Sequence, residues 1–272
     1  GKTYRQPSEF LRRADTEAYA RATNDLNPVY MEGDAPIAPP LYAVRPVFAA
    51  STQAVMDDSL NCNILRILHG EQDMRFHAPL MPKDLICARA TVLNIEDKGS
   101  GELIEVQQRI MRDGEAVCEI VSGYFVRGPD KAKEEKSAKK EEKEEPREIL
   151  FESSFNVDAD QSLRYAEASL DKNPIHVDDN VAKAAGLPGI ILHGLCTMAM
   201  SSREIVNHAC DGDPLRLKRI KVRFSRIVLP EDTLTTRAWL IERNEGISRI
   251  GFETTNQKGE SVITKAFAEI AD

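Results

Sequence analysis

The alternation of apolar and polar positions divides the chain into two similar series of elements. Near the start, Phe10, Leu11, Ala18, Tyr19 and Ala22 recur at helical spacing and predict a helix over 8–23. It is broken at Asn24-Asp25-Leu26-Asn27-Pro28-Val29-Tyr30, because proline lacks an N–H and turns the residue before it away from the helix. A long apolar helix over 40–57 and then long strands are expected next. The later part repeats the plan, with a second long helix over 194–209. Strands follow over 217–228, 234–242, 247–255 and 261–270, where β-branched and apolar residues alternate at a period of two. Turn residues separate them at Asn244-Glu245-Gly246 and Gln257-Lys258-Gly259, mirrored earlier by Lys98-Gly99-Ser100-Gly101 and Arg112-Asp113-Gly114.

The repetition is in register. Tyr19-Ala20-Arg21-Ala22 matches Tyr165-Ala166-Glu167-Ala168, and Asp25-x-Asn27-Pro28-x-Tyr30 matches Asp171-x-Asn173-Pro174-x-His176, both at an offset of 146. Arg75-Phe76 matches Arg223-Phe224, and Pro82-Lys83-Asp84 matches Pro230-Glu231-Asp232, at 148; Gly114-Glu115 matches Gly259-Glu260 at 145. Collinear matches with small drifts indicate a duplicated domain, one copy over 1–129 and the other over 148–272. The segment 130–147 between them carries seven acidic and seven basic residues and almost nothing to bury, which suits a flexible charged linker. An isolated sheet would expose an edge, so the two copies are expected to join into one continuous sheet.

Composition narrows the classes. The 272 residues are 42% hydrophobic and 29% charged, as in ordinary globular proteins, and no stretch is long and apolar enough to span a bilayer. Gly1-Lys2-Thr3-Tyr4 does not read as a secretory signal. Five scattered cysteines, with no Cys-x-x-Cys pair, argue for reduced thiols and a cytoplasmic setting, and against a zinc site. A net charge of −8 disfavours nucleic acid as a partner.

The chemistry concentrates in the second copy. Asp171-Lys172-Asn173-Pro174-Ile175-His176 brings a carboxylate, an amide and an imidazole into one proline-bounded loop, a pairing that suits general acid–base work. Leu192-His193-Gly194 then opens the long helix, whose first N–H groups have no intrahelical acceptor and can face a developing oxyanion. Turn chemistry alone would also account for Asp-x-Asn-Pro.

Taken together, Asp171-x-Asn173-Pro174-x-His176 and Leu192-His193-Gly194 resemble the signature of the MaoC-like, R-specific enoyl-CoA hydratases (hydratase type 2). The resemblance implies an α+β double hot dog, two tandem repeats in which a long helix is wrapped by an antiparallel sheet. It implies reversible hydration of a trans-2-enoyl-CoA to the (R)-3-hydroxyacyl-CoA. Asp171 and His176 would then move the protons, Asn173 would hold the water, and the Gly194 N–H would polarise the thioester carbonyl. No metal and no separate cofactor are implied, since coenzyme A is part of the substrate; an acyl carrier protein is an alternative carrier.

His193, Lys218, Arg219, Lys221 and Arg223 are the candidates for substrate binding, the four cations for phosphates. The first copy has Tyr30 in place of His176 and Pro39-Pro40 near the place of His193-Gly194, so it is expected to be catalytically degenerate; the resemblance implies that it accommodates the acyl chain. His69 and Glu71 fall on one face of a strand by the period of two and suggest a structural or tunnel-lining role. Both a monomer and a homodimer of the double unit are compatible with the sequence. The competing functions are a hot-dog thioesterase, which lacks this motif, and a non-catalytic acyl-thioester binding subunit.

Overall fold

Two strands from opposite ends of the duplication meet at the centre of the molecule and make it one sheet. The computed structural model describes residues 1–62, 66–128 and 147–272; apart from Arg147, the segment expected as a linker lies outside the described residues. The first half runs β1 (Thr3–Arg5), β2 (Glu9–Phe10), α1 (Arg13–Ala22), α2 (Pro28–Met31), a 3-10 turn at Pro40–Ala43, α3 (Val44–Val55), β3 (Ile67–Phe76), β4 (Leu85–Asp97), β5 (Gly101–Arg112) and β6 (Glu115–Arg127). The second runs β7 (Ile149–Asn156), α4 (Gln161–Ser169), a 3-10 turn at Pro174–His176, α5 (Asp179–Ala184), α6 (Gly194–Ala209), β8 (Leu217–Phe224), β9 (Thr233–Asn244), β10 (Ile247–Asn256) and β11 (Ser261–Ala271).

The sheet has the order β1-β4-β5-β6-β3-β8-β11-β10-β9-β7, with β2 paired to β4. All its pairs are antiparallel. At the seam Glu71 lies opposite Arg223, Asp73 opposite Lys221 and Arg75 opposite Arg219. Asp73 and Lys221 are equivalent residues of the two repeats, so a pseudo-two-fold axis passes through that pair. Tyr19 and Tyr165, also equivalent, touch hydroxyl to hydroxyl at 3.2 Å. The repeat extends to single backbone bonds: Ala38 N–H to Leu80 O and Leu192 N–H to Val228 O are both 2.8 Å, while His77 N–H to Val117 O and Ser225 N–H to Val262 O are both 3.0 Å. One large core, including Tyr19, Met74, Tyr165, Met200, Ile220 and Phe252, lies between the helices and the sheet.

Several boundaries differ from the sequence expectation. The first helix begins at Arg13, because Glu9 and Phe10 pair with β4 instead. The long helix expected over 40–57 splits into a 3-10 turn and α3, since Pro39, Pro40 and Pro46 withhold N–H groups at its entry. Strand β8 stops at Phe224, after which Ser225 bonds Val262 and the chain leaves the sheet. Strand β7, which pairs with β9 at the sheet edge, is not marked by strong alternation and was not expected. By contrast α6 spans Gly194–Ala209, as the pattern predicts.

Candidate active site

The Asn-Pro loop is built the same way in both halves. Asn173 Oδ1 accepts from Ile175 N–H at 3.4 Å and caps the 3-10 turn, as Asn27 Oδ1 accepts from Val29 N–H at 3.1 Å. Asp171 Oδ1 accepts from Asn173 N–H at 3.2 Å. These local bonds hold the loop and leave the Asn173 side-chain NH2 without a partner in it.

His176 and His193 stack with ring centroids 3.8 Å apart and planes inclined by 25°. Nδ1 of His176 lies 2.8 Å from Ile191 O, and Nε2 of His193 lies 2.9 Å from the backbone oxygen of Asp171. A carbonyl only accepts, so each of these nitrogens carries its proton. His176 therefore keeps a bare Nε2, the atom of a base. Donor atoms of Asp171, His176 and His193 all lie within 4.8 Å of one another. Burial holds the His176 imidazole below its ordinary value, against the opposing pull of the Ile191 bond and the Asp171 charge. Burial, with the nearby His176, takes His193 down to about 4. Both rings are thus neutral at pH 7.

Ser162, buried on α4, ties the arrangement together. Its hydroxyl lies 2.9 Å from His176 O, 3.1 Å from Ile191 O and 3.4 Å from His193 Nδ1. Sequence reasoning did not single it out, because a serine inside a helix carries no motif.

At the mouth of α6, His193 takes the N-cap position with extended backbone and no side-chain cap. Cys196 and Thr197 N–H groups turn back to His193 O at 3.0 and 3.1 Å, leaving the first-turn N–H of Gly194 without an intrahelical acceptor. Gly194 is also favoured for a steric reason. A Cβ there would lie 3.2 Å from the Phe224 ring.

The first half supplies a wall of the site. His69 packs on Phe224 at 5.2 Å and on Tyr124 at 4.9 Å, and its Nε2 lies 3.0 Å from Gln72 Oε1. Burial is the main cause that lowers the His69 value and raises Tyr124 to about 12, and the Asp171 charge acts on both. The expectation that His69 and Glu71 share a face is incorrect. Opposite them on β6 stand the consecutive residues Tyr124 and Gly123, so Gly70 is the extra residue of a β-bulge. The bulge turns His69 inward and leaves Glu71 outside.

The expected binding residues are also redistributed. His193 has one nitrogen on Asp171 O and the other beside Ser162, so it positions the loop instead of reaching a ligand. Arg219, Lys221 and Arg223 share the face of β8 opposite the buried Ile220 and Val222. Arg219 forms a two-pronged pair with Asp73 at 2.8 and 2.7 Å, while Lys221 and Arg223 stand 3.9 and 4.0 Å from Glu71. Lys218 lies apart from these three. No single cationic patch is formed.

The other half's copy of the loop has Tyr30 where this one has His176. Tyr30 is fully buried with its hydroxyl unbonded, and Asp25 is pushed up to about 6 by burial, Arg203 opposing. Cys196, fully buried beside the site, has its thiol pushed up by burial and is inert as a nucleophile.

Comparison with known proteins agrees with this geometry. Residues 1–120 match the model described as "FAS1-like, dehydratase domain region", and residues 139–262 match "MaoC like domain". The chain is 31% identical over 221 residues to the protein named "Probable enoyl-CoA hydratase 2" of Dictyostelium discoideum, covering 78% of this chain and 73% of that one. The chain belongs to the MaoC-like hydratase and dehydratase family. It is 32% identical over 217 residues to the "Peroxisomal multifunctional enzyme type 2" of Mus musculus, covering 78% of this chain but only 28% of that longer protein. The crystal structure of a MaoC-like dehydratase from Phytophthora capsici superposes with a TM-score of 0.81 at 28% identity, covering 100% of this chain and 95% of the other. The family's fold is the double hot dog described above. Among the described residues, no helix is long and apolar enough to cross a membrane.

Proposed function

We propose that the chain adds water across the double bond of a trans-2-enoyl thioester to give the (R)-3-hydroxyacyl thioester, and catalyses the reverse dehydration. The observation that carries this reading is the grouping of Asp171 and His176 with His193, whose next residue, Gly194, opens α6. Water is oriented by Asp171 and His176. One of its protons passes to the pair as its oxygen bonds C3, and the electrons of the C2–C3 double bond move toward the thioester oxygen. The Gly194 N–H meets that charge, where a preorganised donor contributes typically about 3–4 kcal/mol. C2 then takes a proton from the pair, and the carbonyl re-forms.

The acyl chain is assigned to the first half. There the counterpart of α6 opens with the 3-10 turn at Pro40–Ala43 in place of a first α-helical turn. Coenzyme A is the proposed carrier. The buried neutral imidazoles suit a metal-free reaction. Two rings stacked 3.8 Å apart and nearly parallel send their lone pairs along separate planes, whereas a metal needs them to converge at about 2 Å. A homodimer of the double unit and a reducing compartment such as the cytoplasm remain part of the proposal, the latter supported by five free cysteines.

The test is hydration of short and medium trans-2-enoyl-CoA esters, followed by loss of enoyl absorbance, with Asp171→Asn alongside and chiral analysis of the product. R-specific hydration lowered by roughly 10³-fold in the variant supports the reading. Binding of the ester with no turnover in the wild type would replace it with a non-catalytic acyl-thioester subunit.

A further inference from the structure

The pseudo-two-fold axis gives the active site a counterpart in the first half, and that counterpart is an open cavity. Its volume is about 200 Å³, and Pro39, Pro40, Phe76, Ala78, Cys118 and Leu217 are among its walls. Each of the four that matter has a partner in the active site. The matched backbone bonds of Ala38 and Leu192 set Pro39 and Pro40 against His193 and Gly194. Phe76 is the equivalent of Phe224, and Leu217 is the equivalent of His69. At these positions the imidazoles of His193 and His69 give way to proline and leucine, while Asp25 and Asn27, the equivalents of Asp171 and Asn173, lie outside the cavity lining.

One charge was gained. On β11 the consecutive residues Glu269 and Ile270 oppose Arg219 and Leu217, so Lys218 is the extra residue of a β-bulge. This bulge is the repeat of the one at Gly70, 148 residues earlier. There it turns His69 to the active site; here it sets Leu217 in the cavity wall and Lys218, exposed, at the rim. The Lys218 ammonium has no ion pair among the described residues. On the same rim His77 lies 3.2 Å from Glu119, whose other oxygen takes Arg109 at 2.6 Å, so that carboxylate is already engaged. An apolar slot closed by a single unpaired cation matches an apolar tail that ends in a single negative charge.

We infer that this cavity is a second, non-catalytic site for an aliphatic carboxylate, with the chain between the prolines and Phe76 and the head on Lys218. A cavity of about 150 Å³ accommodates benzene, so this one suits a chain of about six to eight carbons. The inference stands apart from the hydratase reading, since no catalytic residue lines the cavity.

The test is binding of n-alkanoates from butanoate to dodecanoate to the full chain, read from the NMR signal of a ¹³C-labelled carboxylate. Affinity should rise about 4-fold per added methylene and level off near octanoate. Octanoate should bind at least 10-fold more weakly to Lys218→Glu, be excluded by Ala78→Trp, and bind Asp171→Asn as it binds the wild type. If Ala78→Trp does not fold, the charge reversal at Lys218 decides alone. The inference is overturned if octanoate is not bound at millimolar concentration, if Lys218→Glu binds it unchanged, or if Asp171→Asn alters its affinity in either direction, which would place the ligand in the active site.

Discussion

The imidazoles of His176 and His193 lie face to face at 3.8 Å, each fixed by one N–H on a backbone carbonyl. The stack couples the loop that carries Asp171 to the helix that carries Gly194. His193 holds the Asp171 backbone while sitting one residue before Gly194. On the proposed mechanism, proton transfer and charge stabilisation are thereby placed by the same contact.

Replacing His193 by Gln should therefore misplace both functions without removing either. We expect kcat to fall by about 10²-fold with a much smaller change in KM, because the loss is one of alignment. Steady-state kinetics on the hydration reaction check this. A rise in KM with kcat unchanged would instead return His193 to the role of a substrate contact.

Gly194→Ala should act through Phe224. The added methyl lies 3.2 Å from the ring, so ring and helix start must part by a few tenths of an ångström and the N–H is displaced with them. A kcat loss of about 10-fold is expected, and Phe224→Leu in the same chain should restore part of it. No recovery in the double variant would show that the glycine serves something other than this close approach.

The pH dependence follows from burial of His176. Its value is held below the ordinary imidazole range, so the neutral, proton-accepting form dominates at pH 7. A plot of log kcat/KM should be level near pH 7 and fall on the acid side with a midpoint below about 6.5. His193, taken down to about 4, moves stability in the same direction: the unfolded chain binds its proton first, so the folded state is disfavoured as pH drops from about 6.5 toward 4. Thermal melts across that range check the second statement.

Asp25 has the opposite sign. Its carboxyl is pushed up to about 6 by burial, so ionising it opposes folding, and that penalty is absent below the unfolded value and complete above pH 6. Asp25→Asn should raise stability by about 1–2 kcal/mol at pH 8 and by almost nothing near pH 4. Hydration should be unaffected, since the proposed mechanism uses only the second half's loop. Destabilisation at pH 8 would mean that the attraction of Arg203 outweighs the burial.

The sequence by itself determined the duplication, the two Asn-Pro loops, the extent of α6 and the difference between the halves at Tyr30 and His176. All of these rest on short-range rules: proline has no N–H, strands alternate at a period of two, and a repeat preserves its spacing. The tertiary structure decided what depends on a partner strand or a second copy. The bulge at Gly70 exists only against β6, and it reverses the side on which His69 falls. Pairing with Asp73 across the seam claims Arg219, and stacking with His176 makes His193 a positioning residue. His69, more than a hundred residues before the motif, meets Phe224 in one site because β3 and β8 are neighbours in the sheet, and Tyr124 joins them from β6 on the other side of β3. Local sequence fixes which way a strand alternates; only its register with a neighbour fixes which face is the inside.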